Sequence, residues 1–212
     1  MLFRSRLEEE RDALMSTTPL VVVSGPSGVG KTTVVERLVA LSAPRLRRAI
    51  TATTRDARAG EVDGADYHFW TVERFQKAVA EQNMLEWARV FGKDFYGTPN
   101  SEVESYRAAG VGVILVIDVQ GAARVRELGL EHLSVVIDPP RCTELEARLR
   151  GRGDMAEERV QRRLIAARDE LAEAPKFDCR VVNRDLSEAV RDLQRLIRDR
   201  FTLWEADSCS TS

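Results

Sequence analysis

Residues 19–41 read PLVVVSGPSGVGKTTVVERLVAL, and this stretch limits what the chain can become more than any other. Gly25, Pro26, Ser27, Gly28, Val29, Gly30, Lys31 and Thr32 fit the pattern G-x-x-x-x-G-K-[ST] at every fixed position. The run before it, Leu20 to Val23, is short, apolar and β-branched, as expected of a buried parallel strand. After it, Val34, Val35, Leu38, Val39 and Leu41 recur at helical spacing, so a helix is expected to begin near Lys31. A strand, a glycine-rich turn and a helix N-terminus in that order make an anion site. Backbone N–H groups converge on phosphate oxygens, and the helix dipole adds positive potential. Lys31 is placed to reach the β- and γ-phosphates, and the Thr32 hydroxyl to ligate Mg²⁺ along with waters. A chain with this stretch is expected to bind a nucleoside triphosphate, ATP above all.

Composition narrows the remaining partners. The chain has 212 residues, within the range of one α/β domain with insertions, and 43% hydrophobic residues supply a core. Charged residues reach 31%, but the net charge is only −2, which argues against a general nucleic-acid surface. The arginines gather instead around residues 45–58 and 148–168, a pattern that suits small polyanionic ligands. Cys142, Cys179 and Cys209 are widely spaced and odd in number, so no disulfide framework or zinc pattern follows. A reducing cytoplasm is the simplest compartment. No apolar run approaches membrane-spanning length, and the first residues lack the apolar stretch of a signal peptide. Residues 1–18 read as a short charged extension or as the product of an upstream start codon, with Met15 the true first residue. Residues 207–212 read as a disordered tail.

Along the chain, residues 49–54 are β-prone, and a polar, glycine-punctuated loop follows and closes on a Tyr67-x-Phe69 strand. Thr71 is expected to cap a helix reaching Val79, with Phe75 and Val79 facing inward. Residues 84–91 read as a strand, 92–99 as a turn and second short strand, and Asn100 or Ser101 as the cap of a helix to about Ala109. Residues 112–118 form a second apolar strand ending in Asp118, at the strand end where ligands sit in parallel sheets. Gln120 and Gly121 turn into a helix through Leu128, and residues 133–137 make a third strand. Thr143 is expected to cap a helix to Leu149, and residues 155–173 to form a long arginine-rich helix. A fourth strand at 177–183 and an amphipathic helix at 186–203 complete the chain. Such alternation predicts a parallel α/β sheet with right-handed crossovers, interrupted by a β-rich insert at 51–98.

Phosphoryl transfer requires two anionic substrates in line, a neutralised transferring group and excluded water. The phosphate loop holds the donor, Asp118 stands at a strand end, Arg55 and Arg58 are available to an acceptor phosphate, and Arg152 and Arg163 lie near a glycine-flanked segment. The stretches GPSGVGKTT, TTR..R.GEVDG.DYHF, LEWA.VFG, FYGT, IDVQGA, PP with EL..RLRGRG, and VVN resemble guanylate kinase, in order and at that family's spacings, over residues 20–200. The resemblance implies γ-phosphoryl transfer from ATP to GMP with Mg²⁺. It implies a three-layer phosphate-loop fold with a central parallel sheet of about five strands, a β-rich GMP-binding insert and a short helical lid. The expected division is core at 19–50, 99–149 and 166–206, insert at 51–98 and lid at 150–165. The resemblance places ATP on residues 25–33, ending at Thr33, with Asn183 bordering the adenine. It places the GMP phosphate on Arg55, Arg58, Tyr67 and Tyr96, and guanine on Glu86, Thr51, Gly97 and Thr98, with Asp118 near the GMP and the metal water. Lys31, Arg55, Asp118, Arg152 and Arg163 are the expected catalytic set.

Three departures from the family pattern stand out. Val116 occupies a position where the family usually has Glu or Asp, Thr51 replaces a Ser, and the turn before Tyr96 is one residue longer, so Tyr96 is identified by the Gly-Thr after it. Two same-fold rivals remain: a kinase acting on ribose 1,5-bisphosphate and a non-catalytic phosphopeptide-binding module. Elsewhere, His68 and His132 lack a base, nucleophile or metal context, Asp138 reads as a turn residue, and Trp70, Trp87 and Trp204 read as packing. Monomer and homo-oligomer are both open.

Overall fold

The apolar runs read from the sequence become the strands of one parallel sheet. The computed structural model describes residues 18–42, 45–90, 92–150 and 157–201. The expectations for the extension up to residue 17, for Arg152 and its neighbours in the lid, and for the tail lie outside the described residues. The central sheet is built from β1 (Leu20–Ser24), β2 (Leu46–Arg48), β7 (Gly112–Val116), β8 (Leu133–Asp138) and β9 (Cys179–Val182), in the order β2-β7-β1-β8-β9. All four pairings are parallel.

Alternation along each strand divides the core into two layers. Val21 and Val23 of β1, Ile114 of β7 and Val135 and Ile137 of β8 face α1 (Lys31–Ser42) and α7 (Leu186–Arg200), and meet Val34, Val35, Leu38, Val190, Leu193 and Ile197. Leu20, Val22, Val113, Leu115 and Ile117 face the other way, onto Val103 and onto Ala122 and Val125 of α4 (Val119–Glu127). Full burial of such side chains contributes roughly 1.5–3 kcal/mol each. This continuous packing is what fixes the strand ends that carry the site.

The β-prone stretch at 49–54 divides differently from the sequence expectation. Residues 46–48 form the sheet edge β2, and only Ala52–Thr53 (β3) is a strand beyond it. An edge strand tolerates arginines on its open side: Leu46 is buried, Arg47 pairs with Glu102, and Arg48 donates to the Ala65 carbonyl. Much of the arginine cluster is therefore structural.

β3 belongs to a second sheet with β4 (His68–Phe69), β5 (Met84–Val90) and β6 (Asp94–Pro99), in the order β4-β3-β6-β5. The residues of one parity, Tyr67, Phe69, Thr53, Tyr96, Thr98 and Glu86, share one face. The other face carries His68, Trp70, Trp87 and Phe95, with Phe95 stacked on Phe75 of α2 (Val72–Ala80). Thr71 caps α2 by accepting from the Arg74 N–H.

Several boundaries need correction. Asn100–Glu102 is a short 3₁₀ turn, and α3 (Glu104–Ala108) follows without a side-chain cap. Asn100 uses its amide on the Gln82 carbonyl instead. Helix α5 (Cys142–Arg150) starts one residue before its expected cap Thr143, and the Arg141 carbonyl accepts its first N–H groups. Helix α6 is described over Glu157–Ala172. Asp138 is no turn residue: it ends β8, is 5% exposed and pairs with Arg180. His68 also has a charged partner, with Nε2 3.0 Å from Glu102 Oε1. Glu102 additionally accepts from Arg47 and the Ile50 N–H, so it ties the second sheet to the edge of the first. No described helix is long and apolar enough to cross a membrane.

Candidate active site

The phosphate loop lies between β1 and α1, and two glycines there are required by geometry. Gly25 has φ +133° and Gly30 φ +98°, conformations that residues with a Cβ avoid. A Cβ on Gly25 would also collide with the Ile137 carbonyl, and one on Gly30 would lie 2.6 Å from Asn183 Nδ2. Val29 is fully buried, and its carbonyl accepts from Asn183 Nδ2 at 2.7 Å and from Arg148 Nη1 at 3.3 Å. Asn183, expected beside the adenine, thus uses its amide to hold the base of the loop. The Lys31 ammonium donates to the Gly25 and Pro26 carbonyls. Thr32 and Thr33 stand exposed in the first turn of α1. The Ser27 N–H donates to Glu170 of α6 at 3.3 Å, a contact that no sequence pattern announced.

One face of the second sheet carries an arginine–tyrosine cluster at one end and a buried carboxylate–hydroxyl pair at the other. At the first, Arg55 follows β3 and donates from Nε to the Tyr96 hydroxyl at 3.1 Å. Its guanidinium lies 4.9 Å over the Tyr67 ring, and Tyr67 and Tyr96 meet edge to face at 6.1 Å. Phe95 points to the other face, against Phe75 and Trp87. Sequence reasoning passed over Glu61: its two oxygens accept from Arg55 Nη1 and Nη2 at 2.6 and 2.7 Å, and one also accepts from the Arg58 N–H. This fork pushes the Arg55 pKa up and holds the Glu61 carboxyl down at about 2. The Arg58 side chain is exposed.

At the other end, Glu86 of β5 faces Thr98 of β6 in register. Glu86 is 5% exposed, and Thr98 Oγ1 donates to its Oε1 at 2.7 Å. Burial pushes the carboxyl up to about 7, against the Thr98 hydroxyl, and the Asp118 charge adds to the rise. Thr51 is buried nearby on the β3 segment, and Gly97 beside Thr98 has no room for a Cβ, which would meet the Glu86 carbonyl at 2.6 Å. A hollow of about 420 Å³ lined by Trp70, Arg74, Pro99 and Glu102 lies on the opposite face, away from this chemistry.

The Glu86 end meets the core at the start of α4. Asp118 is the N-cap, and its Oδ1 accepts from the Gly121 N–H at 2.8 Å. Gly121 lies directly under Glu86: a Cβ there would come within 2.7 Å of Oε2. Val116, at the end of β7, packs against the core. Arg163 is half-buried on α6. Among the described residues no group of three or more His, Cys, Asp or Glu is placed to hold a metal.

The fold and its glycine-rich loop define a phosphate-loop α/β protein of the nucleotide-kinase class. Comparison with known proteins agrees. The guanylate kinase family profile matches residues 17–200. Guanylate kinases from Synechocystis sp. and Neisseria meningitidis are each 45% identical over 178 residues, covering 84% of this chain and 92% and 86% of theirs. The crystal structure of guanylate kinase from Anaplasma phagocytophilum superposes with a TM-score of 0.72 at 32% identity, covering 87% of this chain and 86% of that one. The chain belongs to the guanylate kinase family.

Proposed function

We propose that the protein transfers the γ-phosphoryl group of MgATP to GMP, giving ADP and GDP. The observation that carries this reading is the Glu86–Thr98 pair, a buried carboxylate with a hydroxyl donor on the same sheet face as the Arg55–Tyr96 pair. Guanine presents N1–H and a 2-amino group together, and a carboxylate accepts both. Adenine presents no such pair and would leave a buried charge unmatched, at a cost of several kcal/mol.

In this reading the phosphate-loop N–H groups and Lys31 hold the donor, Arg55, Arg58, Tyr67 and Tyr96 hold the acceptor phosphate, and Arg163 with Arg152 neutralises the transferring group. Catalysis is by positioning and charge neutralisation. The Thr32 hydroxyl and Asp118 suit Mg²⁺, a hard cation that keeps several waters. Bound with the nucleotide, it supplies charge neutralisation at the phosphates. Val29 is expected to support the loop from below while Gly28 and Gly30 bring its backbone to the phosphates. The free cysteines Cys142 and Cys179 fit a reducing cytoplasm.

The test is ADP formation from MgATP with GMP, AMP, CMP, UMP and ribose 1,5-bisphosphate offered separately. A strong preference for GMP is expected. Turnover with the ribose phosphate alone would overturn the role of Glu86. ATP binding with no turnover on any acceptor would favour a binding module.

A further inference from the structure

Arg55 is more heavily engaged than an anion-binding residue needs to be, and the arrangement of its bonds is informative. A guanidinium offers five N–H groups in a plane: one from each Nη at its end, Nε and the second Nη2 N–H along one side, and the second Nη1 N–H on the other. The end is closed by Glu61, with bonds of 2.6 and 2.7 Å, and Nη1 also donates to the Asp56 carbonyl at 2.7 Å. The Nε side is shared with Tyr96, whose oxygen accepts from Nε and whose own proton is then directed elsewhere. Tyr67 covers the guanidinium plane. Glu61 is further anchored by the Arg58 N–H at 2.8 Å, so the loop between the two arginines closes on one carboxylate.

We propose that Glu61 is a positioning residue for the acceptor phosphate: its carboxylate grips the end of Arg55 so that the Nε side, beside the Tyr96 hydroxyl, meets the phosphate. This rests on the assignment of Arg55 and Tyr96 to that phosphate. Without the fork, Arg55 is a long side chain with several rotamers, and each productive contact carries the entropy of ordering it. With the fork, the ordering is done before the substrate arrives. A carboxylate near a phosphate also repels it. The geometry resolves this because Glu61 and the Nε side lie at different edges of one cation, so the carboxylate need not leave for the phosphate to bind.

The experiment compares GMP with guanosine, which carries the base but no phosphate. Dissociation constants of both are measured by calorimetry for the unaltered protein, Glu61→Gln and Glu61→Asp, together with KM for GMP and kcat. The expected result for Glu61→Gln is GMP binding weakened and KM for GMP raised roughly tenfold or more, the loss of one charge-assisted orienting pair, with guanosine affinity little changed. Glu61→Asp keeps the charge on a shorter stem and is expected to fall between. Unchanged or tighter GMP binding in Glu61→Gln would overturn the proposal and make Glu61 a competitor for the phosphate. Equal weakening of guanosine would overturn it too, by showing a general structural role. If the unaltered protein binds GMP no better than guanosine, the phosphate-site assignment fails first and the proposal falls with it.

Discussion

Glu86 gives the sharpest expectation, because its burial sets both a binding profile and a stability profile. A carboxyl raised from its ordinary 4.5 to about 7 is half protonated at neutral pH in the free protein. Only the ionised form accepts from both guanine donors. Guanosine affinity should therefore fall about tenfold per pH unit below 7 and level off above it. Guanosine is the right probe, because the phosphate of GMP titrates near 6 and would blur the profile. Stability should move the opposite way. The folded protein holds the Glu86 proton more tightly than the unfolded chain, so the contribution is complete below about pH 4.5 and is lost as pH rises through 7. At about 1.4 kcal/mol per pH unit, the loss is about 3 kcal/mol. The change Glu86→Gln removes it, so at pH 8 the variant should be up to about 3 kcal/mol more stable than the parent while losing guanosine binding. Calorimetric titrations from pH 5 to 8.5, paired with urea unfolding of both proteins, test this. A flat guanosine profile between pH 5.5 and 8, or a variant no more stable at pH 8, would refute the reasoning.

Three further outcomes are expected. Thr98→Val removes the hydroxyl that holds Glu86 ionised, so the midpoint of the guanosine pH profile should move upward; a midpoint that stays or falls would contradict the assignment. Gly121→Ala places a methyl 2.7 Å from Glu86 Oε2 and should raise KM for GMP severalfold with KM for MgATP unchanged, as read by steady-state kinetics in which each substrate is varied in turn. Lys31→Ala should abolish turnover while sparing GMP binding by calorimetry, and near-normal activity would remove the donor-site assignment.

The parts of this protein that follow local rules were legible in its sequence. The phosphate loop, the apolar strands at 20–24, 112–116 and 133–138, and the helix after the loop each rest on spacing within a few residues. Thr71 was legible as a cap because capping is local. What the sequence hid depends on partners far along the chain. Residues 46–48 read as part of a basic cluster for small anions because the Glu102 that receives Arg47 lies more than fifty residues away. Asp138 looked like a turn residue because Arg180, its partner, belongs to the last strand. Glu61 was visible as a letter in a glycine-rich loop, but nothing in its spacing reports that it closes on Arg55. A signal was available there: an acidic residue six positions after an arginine expected at a phosphate calls for an explanation. Asn183 was read from the resemblance alone, and its amide proved to be engaged by the Val29 carbonyl.

The start of α4 shows why base choice and phosphate chemistry need not be separate properties of this fold. Asp118 caps that helix, and in doing so its carboxylate is fixed close enough to Glu86 to raise the latter's pKa. Gly121, whose N–H the cap receives, is the surface on which Glu86 rests. One turn of backbone therefore sets the position of the carboxylate expected to read guanine and of the carboxylate expected near the metal water. A cation or a phosphate-bound proton network that neutralises Asp118 would lower the cost of ionising Glu86, and ionised Glu86 is the form expected to hold guanine. By thermodynamic reciprocity, guanine bound to ionised Glu86 must favour the same neutralisation at Asp118 to the same degree. The coupling is electrostatic and acts across a single helix turn, so it requires no rearrangement of the sheet and is present before either substrate binds.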